Sequence, residues 1–273
     1  DCIDGLTQMD ADGAAIPALA ESYEASEDGL TWTFHLRDAQ WANGTPVTAD
    51  DFVYAWQRCL TIPAQYVDLF ATAGIKNAAA IAAGEAELDT FGAYAADEKT
   101  FVVELDVPCA FLDTLMFFPV FYPVNREFAE QCGDLYGTSP EYYLCNGPFV
   151  LTSYEPAATS FTLAKNEDYY AADEVAIDGI DYKVILDSQQ AYLAYQNNEL
   201  DICVLSSELA ELLQGDPEFT PVMTGYLWYL SPNVKSNPDL ANLNIRKAIG
   251  MGFDKAAVVN SVLKDGSVEI NSC

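Results

Sequence analysis

Between Trp32 and Arg58 the sequence WTFHLRDAQWANGTPVTADDFVYAWQR changes its apolar period once. From Thr31 to Leu36 it alternates: Trp32, Phe34 and Leu36 share one face of a strand, while Thr31, Thr33 and His35 share the other. After an Asn43–Gly44 turn, Phe52, Ala55, Trp56 and Cys59 fall at helical spacing. Thr48 is placed to cap that helix. Asp51 stands at the capping-box position, although Asp reaches less far than the usual Glu. Upstream, ESYEASEDGLTWTFHLR predicts a hairpin, with Tyr23 and Ala25 on its first arm and Asp28–Gly29 at the turn. The region therefore reads as a strand, a tight turn and a helix, in a part of the chain built from antiparallel hairpins.

The rest of the chain turns towards α/β organisation. Ala71 to Ala86 predicts a helix, Thr100 to Asp106 a strand, and Phe111 to Phe118 a short helix stopped by Pro119. Cys132 to Pro148 is rich in Gly and Pro and marks a lobe junction. FVLTSY and SFTLAKN predict a second hairpin. IDGIDYKVIL, Ser188 to Asn197 and LDICVL together predict a βαβ-like unit. TGYLWYLSPN predicts a strand before a helix over Asn244 to Leu263. In that strand Tyr226 and Trp228 point one way and Leu227 and Tyr229 the other, which fits either a core strand or a ligand wall. The sequence stops at SVEINSC without a closing element, as a fragment would.

Charge excludes whole classes of partner. Twelve Lys and Arg face 42 Asp and Glu, a formal −30, which repels nucleic-acid backbones and anionic headgroups. The one histidine, His35, sits in a strand and reads as a structural hydrogen-bonding residue at its edge; it cannot build a His-rich metal cluster. No G-x-S-x-G, P-loop or dinucleotide fingerprint occurs, so catalytic residues, metal and cofactor are all expected to be absent. Seven cysteines without a C-x-x-C leave at least one unpaired within the chain. Cys132 and Cys145 flank the Gly/Pro loop as a candidate bridge, and the others read as small buried apolar side chains. The apolar stretch Phe111 to Val124 contains Asp113 and two prolines, so it suits a buried or cleft-lining segment better than a membrane span.

The segment Trp32 to Arg58 closely resembles the signature region of the oligopeptide-binding proteins of ABC transporters, extracellular solute-binding family 5. The opening GL and DADG, IPALAESYEASEDGLTWTF, CNGPFVLTSY, LAKNEDYY, YQNNELDICV and NPDLANLNIRKAIGMGFDKAAVVNSVLKDG are similar to further family elements, in order along nearly the whole chain. Departures are Asn198, where the family usually has Gly, and Leu243–Asn244–Ile245–Arg246, where Asp-x-x-Val-Arg is common.

The resemblance implies a periplasmic-binding-protein-like (type II) α/β lobe with an inserted α+β subdomain and a second lobe largely absent. Residues 1–17 and 144–225 would form the first lobe, 18–143 the inserted subdomain, and 226–273 a hinge strand and the beginning of the second lobe. It implies an extracellular or periplasmic monomer that holds an oligopeptide in extended form and delivers it to permease subunits, with no cofactor and no enzymatic activity. Asp4, Gly5 and Leu6 would supply one edge of the cleft, with Asp4 attracting a cationic part of the ligand. Asn146 and Gly147 would shape the lobe junction, and Tyr226, Leu227, Trp228 and Tyr229 would border the cleft from the second-lobe side. Family members are often lipid-anchored through an N-terminal cysteine, but Cys2 lies inside the first element and reads better as a buried or incidental cysteine. The same fold also serves dipeptides, nickel or haem complexes and oligosaccharides, and a secreted hydrolase of peptides or glycans is the alternative from another class.

Overall fold

Thr31–Leu36 is an inner strand of the largest sheet, and its alternation is the burial pattern itself. Trp32, Phe34 and Leu36 are buried, and the residues between them are half-buried. The computed structural model describes residues 1–222 and 227–270. They fall into two compact units, Asp1–Val184 and Ile185–Cys273.

The first unit opens with β1 (Thr7–Met9) and β2 (Ala15–Pro17), antiparallel across a turn in which Asp10 Oδ1 accepts the N–H groups of Asp12 and Ala14. β3 (Ala20–Ala25) and β4 (Thr31–Leu36) then form the expected hairpin. α1 (Ala49–Thr61) begins as predicted. Asp51 Oδ2 accepts the Thr48 backbone N–H at 3.0 Å, so the short Asp side chain completes its half of the box, and it also takes the Trp41 Nε1–H at 3.1 Å.

The helix expected over 71–86 is instead two short ones, α2 (Asp68–Thr72) and α3 (Ala78–Ala82). Gly74 adopts φ +74° between them, and Ile75 forms a β-bridge with Leu105, so the chain is drawn out to the sheet edge where continuous Ala propensity alone predicted helix. β5 (Ala93–Asp97) and β6 (Thr100–Glu104) complete a four-stranded antiparallel sheet of order β3-β4-β6-β5. β4 is thus an interior strand, and His35 pairs opposite Ser22 and Thr100. α4 (Leu112–Leu115) ends before Pro119 as expected, and α5 (Arg126–Cys132) is capped by Asn125 Oδ1, which accepts the Phe128 N–H at 2.9 Å. β7 (Phe149–Ser153), β8 (Ser160–Lys165) and β9 (Gly179–Lys183) form a second antiparallel sheet in that order.

α1 packs on β5 and β6 and delivers Trp56 to the centre of the core. The indole meets Phe101, Phe121 and Phe70 edge-on, with ring centroids 4.9, 5.3 and 5.5 Å away. Its Nε1–H donates to the Phe121 carbonyl at 2.9 Å, so the one polar atom brought inside is paired.

In the second unit, α6 (Ser188–Gln196) and α7 (Ser207–Leu212) are capped by Asp187 and Ser206. The helix predicted over 244–263 is broken. α8 (Leu243–Gly252) ends at Phe253, which is extended (φ −92°, ψ 110°), and α9 (Lys255–Ala257) continues into a π-helical turn over residues 258–263. Asp254 causes the break: its side chain takes the Ala257 N–H at 2.9 Å and starts a new helix. The expected strand over LDICVL does not form either. A strand requires a paired edge, and Ile202 and Val204, 85% and 86% exposed, have none, so the βαβ-like unit is absent from the described residues. The same holds for Leu227, Trp228 and Tyr229, which belong to no strand. No described helix is long and apolar enough to cross a membrane.

Replacing Trp56 with Ala is expected to cost about 3–5 kcal/mol in urea unfolding, because it empties the space between three aromatic rings. Trp56→Phe should cost less while leaving the Phe121 carbonyl unpaired. A loss below about 1 kcal/mol for the alanine variant would show that the ring cluster does not hold the core together.

Candidate ligand-binding site

The first residues of the chain lie against the segment that enters β7, and this contact assembles the candidate site. The Asn146 side chain clasps the backbone of Asp4: its Oδ1 accepts the Asp4 N–H at 2.9 Å, and its Nδ2 donates to the Asp4 carbonyl at 3.4 Å. A side-chain amide carries both a donor and an acceptor, which suits it to clasp a backbone residue. The N–H groups of Asn146 and Gly147 donate to the Cys2 carbonyl at 3.1 and 2.9 Å, and the Phe149 N–H donates to that of Asp1 at 3.1 Å. Gly147 permits the approach, since a Cβ there would stand 2.8 Å from the Cys2 carbonyl carbon. Its own carbonyl accepts from the buried Asn166 Nδ2 at 2.9 Å.

Gly5 and Leu6 continue inward. Gly5 is buried against Met116 and the Tyr122 ring, and the Leu6 side chain is fully buried in the core. The Gly5 carbonyl accepts from Leu19 N–H at 3.1 Å, and that of Leu6 accepts from Ala18 and Ala20 at 3.1 and 3.0 Å. The carbonyl side of this segment is therefore already paired within the protein.

The Asp4 carboxylate is held by two phenols. Tyr169 and Tyr170 donate to the same oxygen, Oδ2, at 2.7 and 3.2 Å, and their rings lie 4.4 Å apart. Arg37 stacks on Tyr170 with its guanidinium carbon 4.3 Å from the ring centroid, a cation–π contact. Its Nε–H is buried and has no hydrogen-bond partner among the described residues. Arg37, Tyr169 and Tyr170 line a recess of about 470 Å³ together with Gln8, Pro17 and Pro148. Burial raises the Asp4 pKa, against the opposing pull of the two phenol hydrogen bonds and the Arg37 charge. Burial likewise raises those of Tyr169 and Tyr170, with the Asp4 charge acting in the same direction, so both phenols remain protonated donors.

Four of the residues singled out from sequence, Asp4, Gly5, Asn146 and Gly147, thus meet in the first unit, with Leu6 beside them. Leu227, Trp228 and Tyr229 belong to the second unit, where Trp228 and Tyr229 are 85% and 73% exposed; Tyr226 lies outside the described residues. Tyr169, Tyr170, Asn166 and Arg37 were not singled out, although LAKNEDYY carries three of them. The candidate Cys132–Cys145 bridge does not form, and both thiols are free. Pairing of residues 1–2 with 146–149 places Cys145 beside Cys2 instead.

Residues 14–273 match the family described as bacterial extracellular solute-binding proteins, family 5 Middle. The chain belongs to that family. It is 34% identical over 266 residues to the oligopeptide-binding protein OppA of Bacillus subtilis, covering 95% of this chain and 48% of that one. It is 33% identical over 273 residues to a dipeptide-binding protein of Lactococcus lactis, with 95% and 50% covered. Listeria monocytogenes OppA, solved bound to peptide, superposes with a TM-score of 0.78 at 32% identity, over 97% of this chain and 53% of that one. This family-5 chain therefore has the α/β fold of the periplasmic-binding-protein kind and spans about half the length of the curated relatives it matches.

The raised Asp4 pKa sets the sign of a pH effect. The folded state holds the proton more tightly than the unfolded chain. That contribution to stability is fully present below the ordinary value of 3.8 and is lost as pH rises through the folded value. Asp4→Asn removes it. In melting curves from pH 3 to 8, the stability of wild type relative to this variant should fall with rising pH. A relative stability that climbs with pH would mean that the carboxylate is favoured in its charged form.

Proposed function

We propose that this chain is part of an extracellular solute-binding protein that captures oligopeptides in extended form and delivers them to the permease of an ABC importer. It carries out no covalent chemistry and acts as a monomer at the outer face of the membrane or in the periplasm. The observation that carries the reading is the assembly of Asp4, Asn146, Gly147, Tyr169 and Tyr170 beside a recess, in a chain of this family. In this reading residues 1–17 and 144–225 belong to the first lobe, 18–143 form a subdomain inserted in it, and 226–273 begin the second lobe with a hinge segment.

An extended peptide is recognised through its own N–H and C=O groups, so affinity does not depend on side-chain identity. Asp4, Gly5, Asn146 and Gly147 place one wall of the cleft, and Leu6 anchors that wall in the core. Asp4, behind the two tyrosines, supplies negative charge for a cationic group of the ligand. Leu227, Trp228 and Tyr229, with Tyr226, offer apolar area from the second-lobe side.

Native mass spectrometry of the full-length protein as purified from its cells tests this. A heterogeneous set of co-purifying peptide masses is expected, whereas a single sugar or metal-complex mass would overturn it. In calorimetry on the full-length protein, Asp4→Asn should weaken peptides bearing a cationic group about tenfold, and uncharged ones less, if that carboxylate faces the ligand's charge.

A further inference from the structure

The cysteines at 2, 59, 109, 132, 145 and 203 are free thiols. Two of them meet. Cys2 and Cys145 are brought side by side, because the residues that follow Cys145 pair with the Cys2 backbone. The backbone holds them in place, because the Cys2 carbonyl accepts the N–H groups of both residues that follow Cys145, at 3.1 and 2.9 Å. The Asn146 clasp on Asp4 fixes the same two segments on the other side of Cys2. Cys145 is buried at 1% exposure, with its thiol pointed at the Tyr143 carbonyl, while Cys2 is half-buried and reachable from solvent. One sulfur is thus accessible, and the other waits behind it. An external disulfide can therefore reach Cys2 first, with Cys145 next to it in the chain's own structure.

We propose that Cys2 and Cys145 are a disulfide-forming pair, closed by exchange with an external disulfide such as oxidised glutathione. The Cys2 thiol gives up its proton and its sulfur attacks the external disulfide, expelling one thiolate and forming a mixed disulfide. The Cys145 sulfur, deprotonated in turn, attacks the Cys2 sulfur and expels the second thiolate. Two cysteine thiols are oxidised to one disulfide, one external disulfide is reduced to two thiols, and the two released protons are taken up by the leaving thiolates. The bond would join the chain's first segment to the entry of β7 and lock the Asp4–Asn146 wall. The proposal stands on the backbone pairing that sets the two cysteines side by side and does not depend on the peptide-binding reading.

Incubation of the 273-residue chain with oxidised glutathione, followed by alkylation and non-reducing peptide mapping, tests it. The expected result is an intact mass lower by about 2 Da before alkylation and a linked peptide pair containing Cys2 and Cys145. Cys59 and Cys132 should still take up label. The oxidised chain should melt higher than the reduced one by about 5 °C or more, since the bond closes a long loop. Cys2→Ser, at the half-buried position, should abolish both the link and the shift. Full alkylation of Cys2 and Cys145 after oxidation, or a link from either to another cysteine, would overturn the proposal.

Discussion

A single side-chain amide holds the first segment of this chain against the entry of β7. Asn146 takes the N–H of Asp4 and gives a hydrogen to its carbonyl, as a neighbouring strand would, but from a turn that has no strand geometry. Everything around the candidate site follows from that clasp. Gly147 comes close enough to accept no side chain, Asn166 seals its carbonyl, and Asp4 is presented to Tyr169 and Tyr170. These hydrogen bonds link the residues of the candidate site into one network.

The network rests on an unusually aromatic floor. Trp56 sits among Phe70, Phe101 and Phe121 in edge-on contacts, and the sheet face of Trp32 and Phe34 continues the cluster. Edge-on ring pairs of this kind add about 0.5–1.5 kcal/mol each beyond their buried area. The abundance of aromatics between Trp32 and Trp56 is therefore explained by packing, and the site itself lies elsewhere.

Local signals were legible and long-range ones were not. The β3–β4 hairpin and α1 could be placed because alternation, an Asp-Gly turn and a cap all acted within a few residues. The split of the Ala-rich segment could not, because it depends on Ile75 pairing with Leu105, some thirty positions later. The break before Asp254 was visible in principle as a capping residue inside a helical pattern. At the site, Asp4 and Asn146 were found through resemblance to a family, not through periodicity. Tyr169 and Tyr170 were present in a quoted motif, but nothing local shows that two phenols far along the chain converge on a carboxylate near its start. The strands expected at LDICVL and around Trp228 show the converse limit: β propensity names a strand, but only a neighbouring edge makes one.

Because the wall is fastened through main-chain groups, its position and its chemistry are separable. The side chains of Ile3 and Asp4 take no part in the main-chain hydrogen bonds that fasten the wall, so they can change over generations without removing those bonds. Asn146 and Gly147 have no such latitude. A lineage could vary the side chains along this wall while leaving its scaffold untouched.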